Sequence, residues 1–456
     1  MTQLDLAGRI VEMVKAAAPD AETEVSVDTT ALALTRFANS MIHQNVADET
    51  TTVRLVTHLD GRTVASTTTV TSDEALGSFL ARTVDAVRIA PLDPGWPGLT
   101  PAAALATSGT ADESVVNSTP ADRAARIRAF VDSAGGLTTA GYCRTRHTHA
   151  AFANSAGHAV AGSTAEIAMD GIARTGSSDG SARAASAFLS DVDGAILGAR
   201  AAAKARAGDG AVELSPGRYE VVLEQTAVAD VLQALAMFGF NGKGVNERQS
   251  FLEAGAQQMD AAITFVDDAI SPGMIGLPFD AEGTPKQVTT VVDAGRTVGP
   301  VQDRRTAAQA GTQSTGNAIG MSFGAFALNL SLRPADGDSI TEADGPAADS
   351  SVAALVSRMS HGILVTDHWY TRVLDPRTLV MTGLTRNGAW LVENGEIISP
   401  VRNFRFTQSY PQALGPGSVI AVGTHAIAVP NNYSQASFRC PALHLASWNF
   451  TGGASG

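Results

Sequence analysis

Residues 221–240 read VVLEQTAVADVLQALAMFGF. Val221 and Val222 predict a β-strand, and Val228, Val231, Leu232, Leu235 and Ala236 then follow the three-and-four spacing of a buried helical face. A strand that runs straight into a buried helix ties both elements to one core, and such a junction is a common seat for catalytic groups. This helix, however, offers Asp230 and Gln233 as its interior polar residues, with no histidine and no cysteine.

The patterns on either side of this junction differ. Leu6, Ile10 and Val14 line one face of an N-terminal helix. TEVSVD, ALALTRF, TTVRLVTH and GRTVASTTT alternate apolar and polar residues, with a polar turn at Asp60-Gly61, and predict an antiparallel sheet. Leu76, Leu80, Val84 and Val87 mark a helix behind Ser72 as N-cap. A Pro-, Gly-, Ala- and Thr-rich stretch without period follows, from Pro91 to Ser114. The pattern then resumes with a helix over ADRAARIRAFVDSA, strands around Arg144–Phe152 and Ala159–Asp170, and a helix near Val192–Ala205. From Tyr219 onward, short strands are separated by Gly, Pro, Asn and Asp. The expected class is α+β: small N-terminal α/β units over residues 1–105 and 106–214, then a large β-rich C-terminal domain over 215–456.

A net charge of −13 repels phosphate backbones and anionic lipid, so nucleic acid and membrane are not expected partners. No stretch approaches the ~20 continuous apolar residues of a membrane helix. Asp5, Arg9, Glu12 and Lys15 interrupt the N-terminal apolar residues, so no signal-peptide core is read there. Two distant cysteines, Cys143 and Cys440, fit a reducing compartment, and a cytoplasmic protein is expected.

Three clusters could carry chemistry. In CRTRHTHAAFANSAGH, His147 and His149 share a strand face near Cys143 and His158, but no carboxylate is interleaved to complete a metal site. In SHGILVTDHWY, Asp367 adjoins His368, while His361 lies seven residues back on the opposite face of the same strand. In DRRTAAQAGTQSTGNA, residues 303–318, Arg304, Arg305, Thr306, Ser314, Thr315 and Asn317 concentrate donors and acceptors suited to a peptide main chain or a carboxylate. A polar surface loop explains that composition equally well. No nucleophile elbow, phosphate loop or dinucleotide fingerprint is present.

RRTAAQAGTQSTGNA, GLPFDAEGTPKQ, FNGKGVNERQSFL, HGILVTDHWYTRVLDPRT and AWLVENGEIISPV resemble the TldD/PmbA family, as do RFANSMIHQN early in the chain and PALHLASWNFTGG late in it. The resemblance covers almost the whole sequence and is most specific over residues 219–410. It implies a cytoplasmic metalloprotease of two subunit types that degrades unfolded or short peptides. The TldD-type subunit carries zinc on a His-Glu-x-x-x-His motif, in the helix after a Val-Val-Leu strand, with a further cysteine late in the chain. Laid on VVLEQTAVADVLQALAMFGF, that motif puts Gln233 and Phe238 at the histidine positions and Ala234 at the glutamate. Residues 219–257 contain no histidine in any register, and Cys440 falls later than the family's ligand cysteine.

The sequence is therefore similar to a PmbA (TldE)-type subunit without the zinc motif. The resemblance implies no cofactor in this chain, zinc in a TldD-type partner that completes a heterodimer, and unfolded or short peptides as substrate. Arg304, Arg305, Thr306, Ser314, Thr315 and Asn317 are the residues expected to line the peptide chamber or the subunit interface. Two alternatives stand beside this one: a stand-alone metal-dependent peptidase using the His361, Asp367 and His368 group or the Cys143–His158 cluster, and a regulatory binding module without hydrolase activity.

Overall fold

A computed structural model describes residues 1–107, 109, 111–320, 323–335, 347–431 and 437–453, with residues 347–350 as backbone alone. The first helix, α1 (Gln3–Ala17), starts at a capping box: the Thr2 hydroxyl accepts from the Asp5 amide and the Asp5 carboxylate accepts from the Thr2 amide. Strand β1 (Glu22–Ala38) pairs antiparallel with β2 (Met41–Leu59), and β2 with β3 (Arg62–Thr68). The Asp60-Gly61 turn forms where it was read, with φ of 49° and 72°, the left-handed pair that a tight two-residue hairpin requires. Helix α2 (Asp73–Ile89) buries Leu76, Leu80, Val84 and Val87; Ser72 occupies its N-cap, but its side chain makes no capping bond.

A short α3 (Glu113–Val116) and α4 (Pro120–Ser133) precede three antiparallel strands, β4 (Thr138–Asn154), β5 (Ala159–Arg174) and β6 (Asp179–Ser186), and then α5 (Gly194–Ala207). β1 pairs with β4 over Glu24–Phe37, so one sheet runs through residues 1–105 and 106–214. Helices cover one face of it. Val25, Val27, Val53 and Leu55 pack with α1 and α2, while Cys143, Ile167 and Met169 pack with Ile127 and Phe130 of α4 and Leu197 and Ala201 of α5.

The C-terminal half begins with β7 (Gly217–Leu223), α6 (Gln225–Ala234), a π turn over Leu235–Gly239 and α7 (Gly242–Asn246). β8 (Ile263–Asp267), β9 (Thr289–Asp293), β10 (Arg296–Thr297), α8 (Arg304–Ala310), β11 (Leu330–Pro334) and α9 (Ala347–Val356) follow. The last elements are β12 (His361–Asp375), β13 (Val380–Glu393), β14 (Glu396–Pro400), β15 (Phe404–Ser409), α10 (Tyr410–Ala413), β16 (Val419–Val422), β17 (Ile427–Pro430), β18 (Ser437–Cys440) and β19 (Leu443–Gly453).

These strands divide between two sheets. One extends the N-terminal sheet to twelve strands in the order β10-β9-β8-β11-β18-β17-β6-β5-β4-β1-β2-β3. Its joints at β17–β6 and β11–β18 are single residue pairs, Ala428 with Ala185 and Ser331 with Arg439. In the other sheet, order β12-β7-β19-β15-β13-β14, a further pairing of β12 with β13 closes a five-stranded ring. Phe404, Phe406, Trp448 and Phe450 fill its core, each 2% exposed or less. Helix α6 contacts both β12 of the ring and β17 and β18 of the long sheet. Val228, Val231, Leu232 and Leu235 are all buried there, as their spacing required. No described helix is long and apolar enough to cross a membrane.

Candidate functional site

Helix α6 is the place to test for a metal, because the resemblance would put a zinc motif on it. Gln233 is half-buried and its Oε1 accepts from Asn431 Nδ2 at 3.4 Å. Ala234 is buried, and Phe238 lies in the π turn, half-buried against the main core. An amide, a methyl group and a phenyl ring do not make a zinc ligand set, and none of them can take a proton from a bound water. Cys440 sits at the other end of the helix, its Sγ 3.2 Å from the Gln225 carbonyl. That is two helical turns from Gln233, roughly 12 Å at 1.5 Å per residue. Burial pushes the Cys440 thiol far above its ordinary range, away from the thiolate a metal needs. Among the described residues no three His, Cys, Asp or Glu side chains group to hold a metal ion.

The C-terminal end of α6 adjoins a cavity of about 560 Å³, which Met237 of the π turn helps to line. One wall is the helix-free face of the N-terminal sheet. Because strand residues alternate, the strands that send Val25, Val27, Val53 and Leu55 into the helix layer send Ser26, Asp28, Thr52 and Arg54 into the cavity. Arg146, Thr148, Thr164 and Glu166 continue that wall on β4 and β5. The opposite wall is apolar: Ile275, Leu277 and Phe279 from one loop, and Ile319, Phe323, Phe326 and Leu328 from another.

The charged groups in this cavity fall into two kinds. Glu166 is held by Arg144 at 3.1 Å and Arg146 at 3.9 Å. Asp280 is buried and accepts three backbone N–H bonds, from Glu282, Thr284 and Ala318, each at 2.9 Å. Burial still holds its carboxyl above the usual range. By contrast, the Asp28 carboxylate, the Arg54 guanidinium and the Lys286 ammonium have no hydrogen-bond partner among the described residues. Burial pushes Asp28 up to about 6, against the pull of Arg54. The Lys286 side chain is 4% exposed, and its nearest carboxylate oxygen, on Asp267, is 3.9 Å away, beyond hydrogen-bond reach.

None of the six residues singled out in the sequence lines this cavity. Asp303 caps α8 by accepting from the Thr306 amide and hydroxyl, each at 2.7 Å. Arg304 donates to the carbonyls of Pro97, Gly98 and Leu99, and Arg305 grips Asp93 with two 2.7 Å bonds. These contacts fasten the Pro-rich linker of the N-terminal half to the C-terminal half. Ser314 and Thr315 bond to the Gln302 main chain, and Asn317 Nδ2 donates to Asp267 at 2.7 Å. Gly316 between them has φ +76°, and a Cβ there would stand 2.6 Å from the Pro285 carbonyl. The Ser-Thr-Gly-Asn run thus forms the floor under Lys286.

The remaining clusters do not assemble a catalytic site. The His147 and His149 rings lie 5.6 Å apart on one strand face, and His158 is buried, its Nε2 bonded to the Gly283 carbonyl at 2.8 Å. Cys143 is buried among apolar side chains, its thiol pushed up to about 11. His361 is exposed beside Glu393, Asp367 binds Arg183 at 2.7 Å, and His368 stacks on Trp448 inside the ring with Nδ1 3.7 Å from Asp230. These three side chains face three different environments.

Sequence reading passed over Asp28, Arg54, Arg146 and Glu166, which come together only through strand pairing, and Lys286, which a C-terminal loop carries over them. One signal was available: a polar or charged residue at every second position, as at Ser26, Asp28, Thr52 and Arg54 on strands whose other face is Val and Leu. That pattern ordinarily denotes a solvent face, and only the C-terminal loops covering it turn it into a cavity wall.

The fold and the cavity define a two-part α+β protein. Residues 216–452 match the model of the PmbA/TldA metallopeptidase C-terminal domain, and the chain belongs to the PmbA/TldD family. Its fold is that of TldE from Thermococcus kodakarensis, with a TM-score of 0.84 and 16% identity over 98% of this chain and 100% of that one. A candidate modulator of DNA gyrase from Thermotoga maritima matches with a TM-score of 0.81 and 18% identity, over 98% of this chain and 99% of that chain. Another candidate modulator of DNA gyrase, from Bacteroides thetaiotaomicron, gives 0.79 and 17%, over 98% of each chain. No protein among the curated ones matches the chain.

Proposed function

We propose that this chain is a non-catalytic PmbA/TldE-type subunit of a cytoplasmic zinc metallopeptidase, acting with a zinc-bearing TldD-type partner on unfolded or short peptides. The observation that carries the reading is the set Gln233, Ala234 and Phe238 on α6 and its π turn, where the family's metal motif would fall. A chain with these side chains has nothing on that helix to convert water into hydroxide, so its contribution is binding and shape.

Two features supply binding capacity. β3 pairs only with Val53–Leu59 of β2, which leaves the outer edge of Met41–Thr52 without a neighbouring strand among the described residues. Its residues 41–49 are all exposed. Such an edge, about 40 Å long at ~3.3 Å per residue, accepts an extended chain through its backbone without regard to sequence. The second feature is the cavity beside α6. In this reading Arg304, Arg305, Thr306, Ser314, Thr315 and Asn317 act as scaffold, joining the two halves and supporting the cavity floor.

The test is metal analysis and peptidase assay of the purified chain, alone and together with a TldD-type subunit. The expected result is far less than one zinc per chain and hydrolysis of an unfolded substrate only when both subunits are present. Stoichiometric zinc and hydrolysis by this chain alone would replace the proposal with the stand-alone peptidase.

A further inference from the structure

We propose that His147 and His149, side by side on the helix-bearing face of β4, bind one divalent transition-metal ion of the imidazole-preferring class. The site is separate from the cavity and from the place of the family's metal motif on α6.

The face on which the pair stands is set by strand alternation. β4 pairs with β1 and β5 without a register break over these residues, so Arg146 and Thr148 point into the cavity while His147 and His149 point to the other side. On that side the α1 and α2 core takes in Ala153 of β4, and the α4 and α5 core takes in Cys143. The two histidines fall between these anchor points, His147 half-buried and His149 exposed, so an ion can reach them from solvent. Their cross-strand neighbours are Ala31 and Ala165 beside His147, and Thr29 and Ser163 beside His149, small side chains that leave room around the rings.

The geometry suits chelation. With metal–nitrogen bonds of about 2.1 Å and a ring centre about 1.1 Å behind each nitrogen, two imidazoles on one tetrahedral ion place their centres about 5.2 Å apart. The His147 and His149 centres are 5.6 Å apart and their planes 76° to one another, so a small rotation about the soft ring torsions closes the pair on an ion. Neither ring has a hydrogen-bond partner among the described residues, which leaves a nitrogen lone pair on each to offer. Burial, and then the like charge of His149, hold His147 below its ordinary value, in the neutral form that ligates. Glu49, in the same cross-strand row beyond Ala31, opposes that shift and lends the site negative charge, as does a chain of net charge −13. The pair holds an ion without being a catalytic set, since the cavity lies on the opposite side of the sheet. Two imidazoles are half of a four-ligand set and supply about half its binding free energy, a dissociation constant on the order of 10 µM. An ion held this loosely leaves on dialysis, so the site adds nothing to the zinc retained by the purified chain and stands or falls independently of the proposed function.

The experiment is calorimetric titration of the full chain, stripped with EDTA and dialysed into metal-free buffer, with zinc, copper(II) and magnesium chlorides. Zinc is expected to bind at one site per chain with a dissociation constant on the order of 10 µM. Copper should bind more tightly than zinc, and magnesium, which takes oxygen ligands, not at all. Electron paramagnetic resonance of the copper form should show two imidazole nitrogens. His147→Ala and His149→Ala should each weaken zinc about tenfold or more, the loss of one of two ligands, while His361→Ala, which removes an exposed histidine on β12, should leave it unchanged. No zinc binding, magnesium binding as tightly as zinc, or full affinity in either His147→Ala or His149→Ala overturns the proposal. If circular dichroism shows either variant unfolded, the unaltered chain decides through modification by diethyl pyrocarbonate, mapped by mass spectrometry. Protection of His147 and His149 by zinc then supports the site, and equal modification with and without zinc overturns it.

Discussion

The two faces of the N-terminal sheet are built from the same strands and do opposite things. On one face Val25, Val27, Val53 and Leu55 disappear under α1 and α2. On the other, one residue along, Ser26, Asp28, Thr52 and Arg54 line a cavity in which charged groups lack bonding partners. The strand period alone separates them. Apolar burial on the first face supplies stability, which offsets the cost of keeping buried polar groups on the second.

The sharpest way to break this contrast is on the helix-covered face. Leu55→Ala should cost about 2–5 kcal/mol, the usual range for emptying a buried leucine site. Denaturant melts measure this, and a loss below about 1 kcal/mol would show that the face is not the stabilising one. Gly316→Ala comes next. It forces a side chain onto φ +76° and toward the Pro285 carbonyl, a strain of roughly 1–3 kcal/mol. That contact sets the Pro285–Lys286 backbone, and a loss below about 0.5 kcal/mol in the same denaturant melts would contradict it.

A third prediction concerns Glu24, on β1 between the two halves. Burial pushes its carboxyl up to about 7, opposed by Arg304 and Arg54 and reinforced by Asp280 and Glu22. The folded state therefore holds a proton that the unfolded chain, with an ordinary value of 4.5, has released. This group's contribution to stability is full below pH 4.5 and declines as pH rises to about 7. Glu24→Gln mimics the protonated form. Its advantage over the unaltered chain should be absent below pH 4.5 and grow to on the order of 1–2 kcal/mol by pH 8, read by thermal melts across pH. An advantage that is constant with pH would contradict the assignment. The smallest effect belongs to the cavity mouth, where Thr67→Val should change stability by less than about 0.5 kcal/mol in the same melts.

Local features of the fold were legible in the sequence because local physics decides them. The Asp60-Gly61 turn, the buried stripes of α1, α2 and α6, and the strand-to-helix junction at Leu223 all stand where their residue types put them. TEVSVD and ALALTRF read as two strands but form one, because the polar Thr29 and Thr30 between them bond sideways to Thr51 and Thr148 at 2.9 Å. β12 and β13 form a local hairpin through the turn after Asp375, but the pairing of β7 with β12 and with β19, which completes the ring, joins distant segments and left no mark in the sequence, since a strand does not specify its partner. The site followed the same rule. Arg304 to Asn317 stood out by composition, and the structure uses their polar groups to join parts of this chain to one another. Lys286, inconspicuous in EGTPKQ, became visible only when three distant segments left its ammonium without an acceptor.

Among the described residues the twelve-stranded sheet joins the two halves of the molecule through one rung, Ala185–Ala428, and a second single rung, Ser331–Arg439, lies within the C-terminal half. Elsewhere the ladders run to as many as seventeen rungs, as between β1 and β2. Backbone pairing between the halves therefore rests on the Ala185–Ala428 seam, with side-chain links such as Arg183–Asp367, Lys204–Glu224 and the Arg304 and Arg305 tethers around it, and amide exchange at that seam should be faster than along the long ladders. The seam at Ala428 leads within three residues to Asn431, the partner of Gln233, so a breath at that joint would be felt first at the end of α6.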